Sequence, residues 1–180
     1  NSNPCNLPDC YVQSTTSSTS GITITVTYDY TVVNGTKMMS SITTSNPFSA
    51  STVTSFEYDA QGQRIKNSVV FNGTVSNYVT YEYSNGGKTI RANSFDAADN
   101  LTGYAIDELD NAMRIVRTES YTTANVLVSY VVFSDFVSAT GNFPQLVETF
   151  AASNALTQKD VRTYQNCQLI SNISTDGSGT

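Results

Sequence analysis

Glu57 and Glu82 occupy equivalent places in a repeated pattern, and paired carboxylates on one sheet face are what glycoside hydrolysis requires. The plainer account has each acid balancing a base across a strand, such as Arg64 or Arg91. Other acid–base chemistry is scarce. The 180 residues contain no histidine, so neither a Ser–His–Asp nor a Cys–His site can be assembled. No glycine-rich phosphate loop precedes a helix. Oxygen ligands for calcium cluster at Asp96, Asp99 and Asn100, and again at Asp107, Glu108, Asp110 and Asn111. Neither group follows a calcium-loop spacing, and solvated turn residues explain both. Tyr78, Tyr104 and Tyr130 could offer apolar ring faces to sugars, as a glycan-binding row. Cross-strand packing that pins register demands the same spacing. The sequence therefore assigns no catalytic residue, no cofactor and no metal, and the chain is expected not to be an enzyme.

These residues must be positioned by a repeat. Tyr78, Tyr104 and Tyr130 recur every 26 residues, and Phe95 with Tyr121, then Leu101 with Leu127, keep the interval. A fixed period of this size implies one supersecondary unit copied along the chain, here two strands and two turns. Strand content is supported by composition: Ser and Thr total 48, with 11 Tyr, 8 Phe and no Trp. Ile22 to Tyr28 alternates strictly between apolar and polar residues, the best single strand in the chain. Asn34-Gly35 marks a hairpin after it, and Asn46-Pro47 a break.

The clearest unit runs from Phe56 to Ile65. Asp59 suits the first position of a type I turn, and Gly62 the left-handed position that closes it with a bulge. That register would pair Glu57 with Arg64 and Phe56 with Ile65. It puts Phe56, Tyr58, Ile65, Tyr81, Tyr83 and Ile90 on the buried face, with Glu57, Arg64 and Glu82 outside. Tyr81 to Ile90 repeats the design. Tyr104 to Ile115 fits only with a turn two residues longer, and Tyr130 to Leu146 is more degenerate. Turns of a second kind are read at Asn72-Gly73, Asp96 to Asn100 and Thr122 to Asn125. Gln145 to Leu156 has helical-looking content, but the repeat makes it strand. The expected fold is all-β: an antiparallel β-meander of about ten to twelve strands in ~26-residue repeats, rolled or barrel-like.

Three segments follow: a Pro/Ser/Thr-rich arm over 1–20, a single β-repeat domain over 21–173, and a Gly/Ser-rich tail over 174–180. Of three cysteines, Cys10 and Cys167 could bridge the first ordered segment to the last strand; Cys5–Cys10 is the alternative. The remaining thiol would be free, lipidated or bonded to a neighbour. A net charge of −6 and nine scattered basic residues argue against nucleic acid. No apolar run reaches the length of a membrane span. The low charge and Ser/Thr/Asn richness suit an extracellular or cell-surface setting, and the chain reads as already processed. Four Asn-x-Ser/Thr sequons, at Asn34, Asn72, Asn100 and Asn172, are about what chance gives in such a composition.

The pattern aromatic-x-Tyr-Asp-x-x-Gly-x-Arg-Ile resembles the Tyr-Asp (YD, rearrangement-hotspot-like) repeats of bacterial cell-surface proteins. The match is carried by Phe56–Ile65, Tyr81–Ile90 and, loosely, Tyr104–Ile115, and it is closest to the short lipoprotein-like members. The resemblance implies a β-scaffold used for shells, adhesins and surface proteins; this chain is too short for the toxin-enclosing role of the largest members. We therefore expect a self-assembling extracellular structural protein, its partner a second copy joined head to tail. Ile22, Ile24, Val26 and Tyr28 are the assembly candidates, as an uncharged strand on a flexible tether. The alternative is a monomeric surface lipoprotein or adhesin that binds glycan or protein through its tyrosines.

Overall fold

The computed structural model describes residues 13–19, 22–137, 143–165 and 168–178. Cys5, Cys10 and Cys167 lie outside them, so both disulfide alternatives do too. Thirteen strands follow one another: β1 (Ser14–Thr19), β2 (Ile22–Val33), β3 (Thr36–Asn46), β4 (Ser49–Tyr58), β5 (Arg64–Phe71), β6 (Thr74–Ser84) and β7 (Thr89–Asp96). They continue as β8 (Leu101–Leu109), β9 (Ile115–Tyr121), β10 (Leu127–Phe136), β11 (Pro144–Ala151), β12 (Leu156–Gln165) and β13 (Gln168–Asp176). Their order in the sheet is their order in the sequence. The fold is thus the expected antiparallel meander, with β1 and β13 as its outermost strands among the described residues; it is not closed into a barrel.

The strand count exceeds the expected range because both ends of the chain join the sheet. Ser14–Thr19 falls in the stretch read as an arm, yet it pairs residue for residue with Thr27 back to Ile22. Ser and Thr are adequate for an edge strand, which needs backbone pairing more than a buried face. Asp176 likewise extends β13 into the stretch read as a tail. Helical structure among the described residues is limited to one short turn, Asn85–Gly87.

The described residues form two compact units. One comprises 13–81 and 93–102, the other 82–92 and 103–178. In the first, β2 is paired on both flanks: Val26 lies opposite Thr15 of β1 and Thr44 of β3. Asn34 and Gly35, at φ 48° and 77°, make the two-residue hairpin that their sequence signals, as do Asn72 and Gly73 at 50° and 76°. In the second unit the buried apolar side chains are Tyr104, Tyr130 and Val147. Its sheet therefore depends on same-face neighbours within one layer of strands.

Five turns share one backbone design. In Asp59–Gln63, Asp96–Asn100, Asp110–Arg114, Thr122–Val126 and Ala151–Ala155, the first residue donates its N–H to the fifth carbonyl at 2.9–3.0 Å. The fourth residue donates back to the first carbonyl and adopts positive φ: Gly62, Asp99, Met113, Asn125 and Asn154, between 60° and 83°. Where the first residue is Asp, its Oδ1 also accepts from the third and fifth N–H groups, as at Asp59, Asp96 and Asp110. The turns expected to be of two kinds are therefore mostly one kind. The turn of the third unit is anchored on Asp110 and is no longer than that at Asp59, without the two extra residues expected of it. Asn85–Gly87 departs instead, with three consecutive positive φ values of 52°, 66° and 83°.

The turn bulge corrects the expected register. Tyr58 lies opposite Arg64, Glu57 opposite Lys66 and Phe56 opposite Asn67, with a shift between Glu57 and Tyr58. Ile65 is the extra residue of the bulge and is 39% exposed, so it leaves the expected buried face. Phe56, Tyr58, Tyr81, Tyr83 and Ile90 are half-buried, and Glu57 and Glu82 are exposed. Arg64 is exposed too, but it leaves the outer face expected for it: opposite Tyr58, it lies 4.7 Å over the Phe56 ring. Opposed charges at Glu57 and Lys66 replace the Glu57–Arg64 pair.

Met113 is the odd residue among the five left-handed positions. An L side chain with a Cβ is disfavoured at φ 60°, and glycine is not. Met113→Gly is expected to stabilise the protein by about 0.5–1 kcal/mol, after the larger unfolded-state entropy of glycine is counted. Urea unfolding of the two proteins side by side checks this.

Candidate functional site

The repeat builds one side-chain arrangement three times: a cation, a tyrosine, a second aromatic ring and a turn acceptor. In the first unit Lys66 Nζ lies 4.6 Å from the Tyr78 ring centre, and Phe95 stacks on Tyr78 at 4.8 Å and 11°. The Tyr78 hydroxyl donates to Asp99 Oδ1 at 2.9 Å. In the second unit Arg91 covers Tyr104 at 3.8 Å, Tyr121 stacks on it at 4.8 Å, and its hydroxyl donates to Asn125 at 3.0 Å. Arg117 covers Tyr130 at 4.0 Å, Phe150 stacks at 4.7 Å, and the hydroxyl donates to Asn154 at 3.1 Å. The turn acceptors are the left-handed fourth residues of the shared turn. Each tyrosine thereby ties its strand to the turn that closes the next strand.

Strand pairing dictates this placement. Tyr104 is directly opposite Tyr121, and Tyr130 directly opposite Phe150. Alternation then puts Tyr121, Glu119 and Arg117 of β9 on the same face. Cation over ring is attractive by ~0.5–2 kcal/mol, more where water is excluded. A stacked pair adds ~0.5–1.5 kcal/mol beyond its burial. Tyr104 and Tyr130 are each only 8% exposed.

Charge is threaded through the ladder of the second unit. Glu119 accepts from Arg117 Nε at 2.9 Å and from the Tyr121 hydroxyl at 2.5 Å. The Tyr121 hydrogen bond, then Arg117, holds the Glu119 carboxyl below its ordinary range. The same bond to Glu119, with burial, pushes the Tyr121 phenol up to about 12. On the opposite face Asp160 is held low by Ser174 and Gln158; in the turn after β8, Asp110 is held low by Arg114.

These shifts set two pH limits. Depressed carboxylates contribute stability that is complete above their unfolded values of ~4 and is lost as pH falls through the folded ones. Tyr121 behaves in the opposite sense: its contribution is complete below pH ~10 and is lost towards the raised folded value of about 12. With no histidine in the chain, the melting temperature should be nearly flat between pH ~5 and ~8 and fall below pH ~4 and above pH ~10. Tyr121→Phe should remove part of the alkaline loss. Calorimetric scans from pH 2 to 12 read both limits.

The expected site residues divide accordingly. Tyr78, Tyr104 and Tyr130 do recur as a structural set, but each has protein against both ring faces. The geometry is that of the register-pinning alternative, and a sugar has no open face of these rings to stack on. Ile24, Val26 and Tyr28 belong to a strand paired within its own sheet; Ile22 shares that strand. Glu57 is exposed opposite Lys66, and Glu82 is exposed on β6. Asp96 spends Oδ1 on its own turn and accepts Asn100 Nδ2 at 3.0 Å on Oδ2, while Asp99 accepts Tyr78. Among the described residues no group of three or more such side chains could hold a metal ion. No helix of those residues is long and apolar enough to cross a membrane.

Sequence reasoning missed the cations and the turn acceptors. Arg91 and Arg117 are 26 residues apart, with Lys66 25 before them, and Asp99 and Asn125 are again 26 apart. That interval was a usable signal. Phe150 and Asn154 were harder, because Tyr130 to Phe150 spans three residues more than Tyr104 to Tyr121. No protein-family model matches this chain, and no curated protein matches it either.

Proposed function

We propose that this is a non-enzymatic extracellular structural protein whose copies join edge to edge by strand addition, as a surface filament or layer. The observation that carries this reading is the unguarded edge β13. Sheet edges are normally blunted by lysine, proline or inward charges. The nine residues of β13 contain none of these except the terminal Asp176, and Leu169, Ile170 and Ile173 are 53%, 58% and 62% exposed. The other edge, β1, is built from Ser and Thr alone. A strand with free main-chain donors and apolar side chains is suited to accept another strand. The resemblance to Tyr-Asp repeats of surface proteins supports the same reading, as does the acidic, weakly charged composition.

The joint differs from the one the sequence suggested. Ile22–Val33 is engaged on both flanks, so the assembling surfaces are β1 and β13. Charge on the last strand is the direct test. Ile170→Lys with Ile173→Lys should leave a folded β-protein that sediments as a monomer at concentrations where the unaltered protein polymerises. An unaltered protein that remains monomeric at about 100 times the usual micromolar working range would remove the proposal.

A further inference from the structure

The face of the second unit opposite the tyrosine ladder carries a hollow of about 430 Å³. Ile90, Leu109, Ile115, Phe133 and Phe136 form its apolar wall, and Arg162 stands in it as the single charged residue of the lining, among the described residues. Small-molecule sites have this composition: a mostly apolar concavity of ~300–1,000 Å³ with one or two orienting polar groups. We propose that the hollow binds a free anionic amphiphile with a single hydrocarbon chain, a fatty-acid carboxylate.

The charge of the occupant follows from the two arginines nearby. Arg114, over the Phe136 ring at 4.2 Å, is held by Asp110 through Nε at 2.8 Å and Nη2 at 2.6 Å. Its charge is balanced at short range. Arg162 has a long contact to Asp160, 3.7 Å from Nη2 to Oδ2. Asp160 is meanwhile satisfied by Gln158 at 3.0 Å and by Ser174. A guanidinium offers five donors in a planar fork, and that single contact is longer than a hydrogen bond. A carboxylate presents two oxygens at matching spacing, which a neutral alcohol or a cation does not. The hydrocarbon chain would cover Ile115, which is 40% exposed although it sits in the apolar wall. The chain's net charge of −6 does not oppose this locally, since no acidic residue lines the hollow.

The test is titration of the full chain with dodecanoate, dodecanol and dodecyltrimethylammonium below their micellar concentrations, read by calorimetry. One-to-one binding of dodecanoate is expected, weaker binding of dodecanol, and none of the cation. Arg162→Gln should weaken dodecanoate about tenfold and leave dodecanol unchanged, and Arg162→Lys should restore part of the loss. Ile115→Asp, at a half-exposed position, should abolish binding of both while circular dichroism reports an unchanged sheet. Equal binding of anion and cation would overturn the proposal, as would indifference of dodecanoate to Arg162→Gln. So would absence of saturable binding, or binding to anionic phospholipid vesicles alone. A dimer broken by Ile115→Asp would assign the hollow to a second copy instead.

Discussion

Replacing Tyr104 with alanine is expected to cost about 3–5 kcal/mol, the range for deleting a buried aromatic side chain. The ring is 8% exposed and sits between the Arg91 guanidinium at 3.8 Å and the Tyr121 ring at 4.8 Å. The described strands form one sheet, so little else can fill the space left by the ring. Tyr104→Phe separates the contributions. It keeps both ring contacts and loses only the hydroxyl donated to Asn125, worth ~1 kcal/mol. Guanidinium unfolding of the three proteins gives the comparison. If alanine and phenylalanine cost the same, the stack is not what holds β8 to β9.

A bulky residue at Gly103 should also be costly, from the other face of the same strand. A Cβ built there would stand 2.9 Å from the Tyr121 carbonyl oxygen, closer than side chains approach backbone. Neither partner is a flexible tip that can swing aside, so β8 and β9 must separate. Gly103→Val is expected to cost at least ~1–3 kcal/mol as overpacking. It has a second readout. Displacing Tyr121 lengthens its 2.5 Å bond to Glu119, so the phenol, normally near 12, should titrate closer to ~10 in an ultraviolet pH titration. A destabilised protein whose Tyr121 still titrates near 12 would place the strain elsewhere.

The meander and its turns were legible because they are local. Asp59 with Gly62 announces a turn within a stretch of four residues, and Asn34-Gly35 within two. The register was not. One bulge residue, Ile65, moved Glu57 from Arg64 to Lys66, and a single extra backbone unit leaves no trace in alternation counted strand by strand. The tyrosines were found by their interval, but their use was not. A sugar platform and a packed ladder call for the same residues at the same spacing. What separates them is whether a cation and a ring occupy the faces, and those arrive from neighbouring strands. Met113 hid the third turn for a related reason: the left-handed position carries glycine in one copy and methionine in another. The first edge was misplaced because Ser14–Thr19 has no apolar residues to alternate with its polar ones, and alternation is what separates a strand from a Ser/Thr-rich linker.

Because every strand hydrogen-bonds to those beside it in sequence, the fold asks little of the chain's kinetics. Antiparallel hairpins close in ~1–10 μs, and here each new strand can add to a hairpin already formed. No strand waits for a distant partner, as it must in a Greek-key sandwich, where closing long loops slows folding to ~ms–s. Pairing partners are always neighbours along the sequence among the described residues, so refolding should be fast for an all-β protein of this length. Nucleation can start at whichever hairpin is intrinsically strongest, and growth proceeds outward from it in both directions.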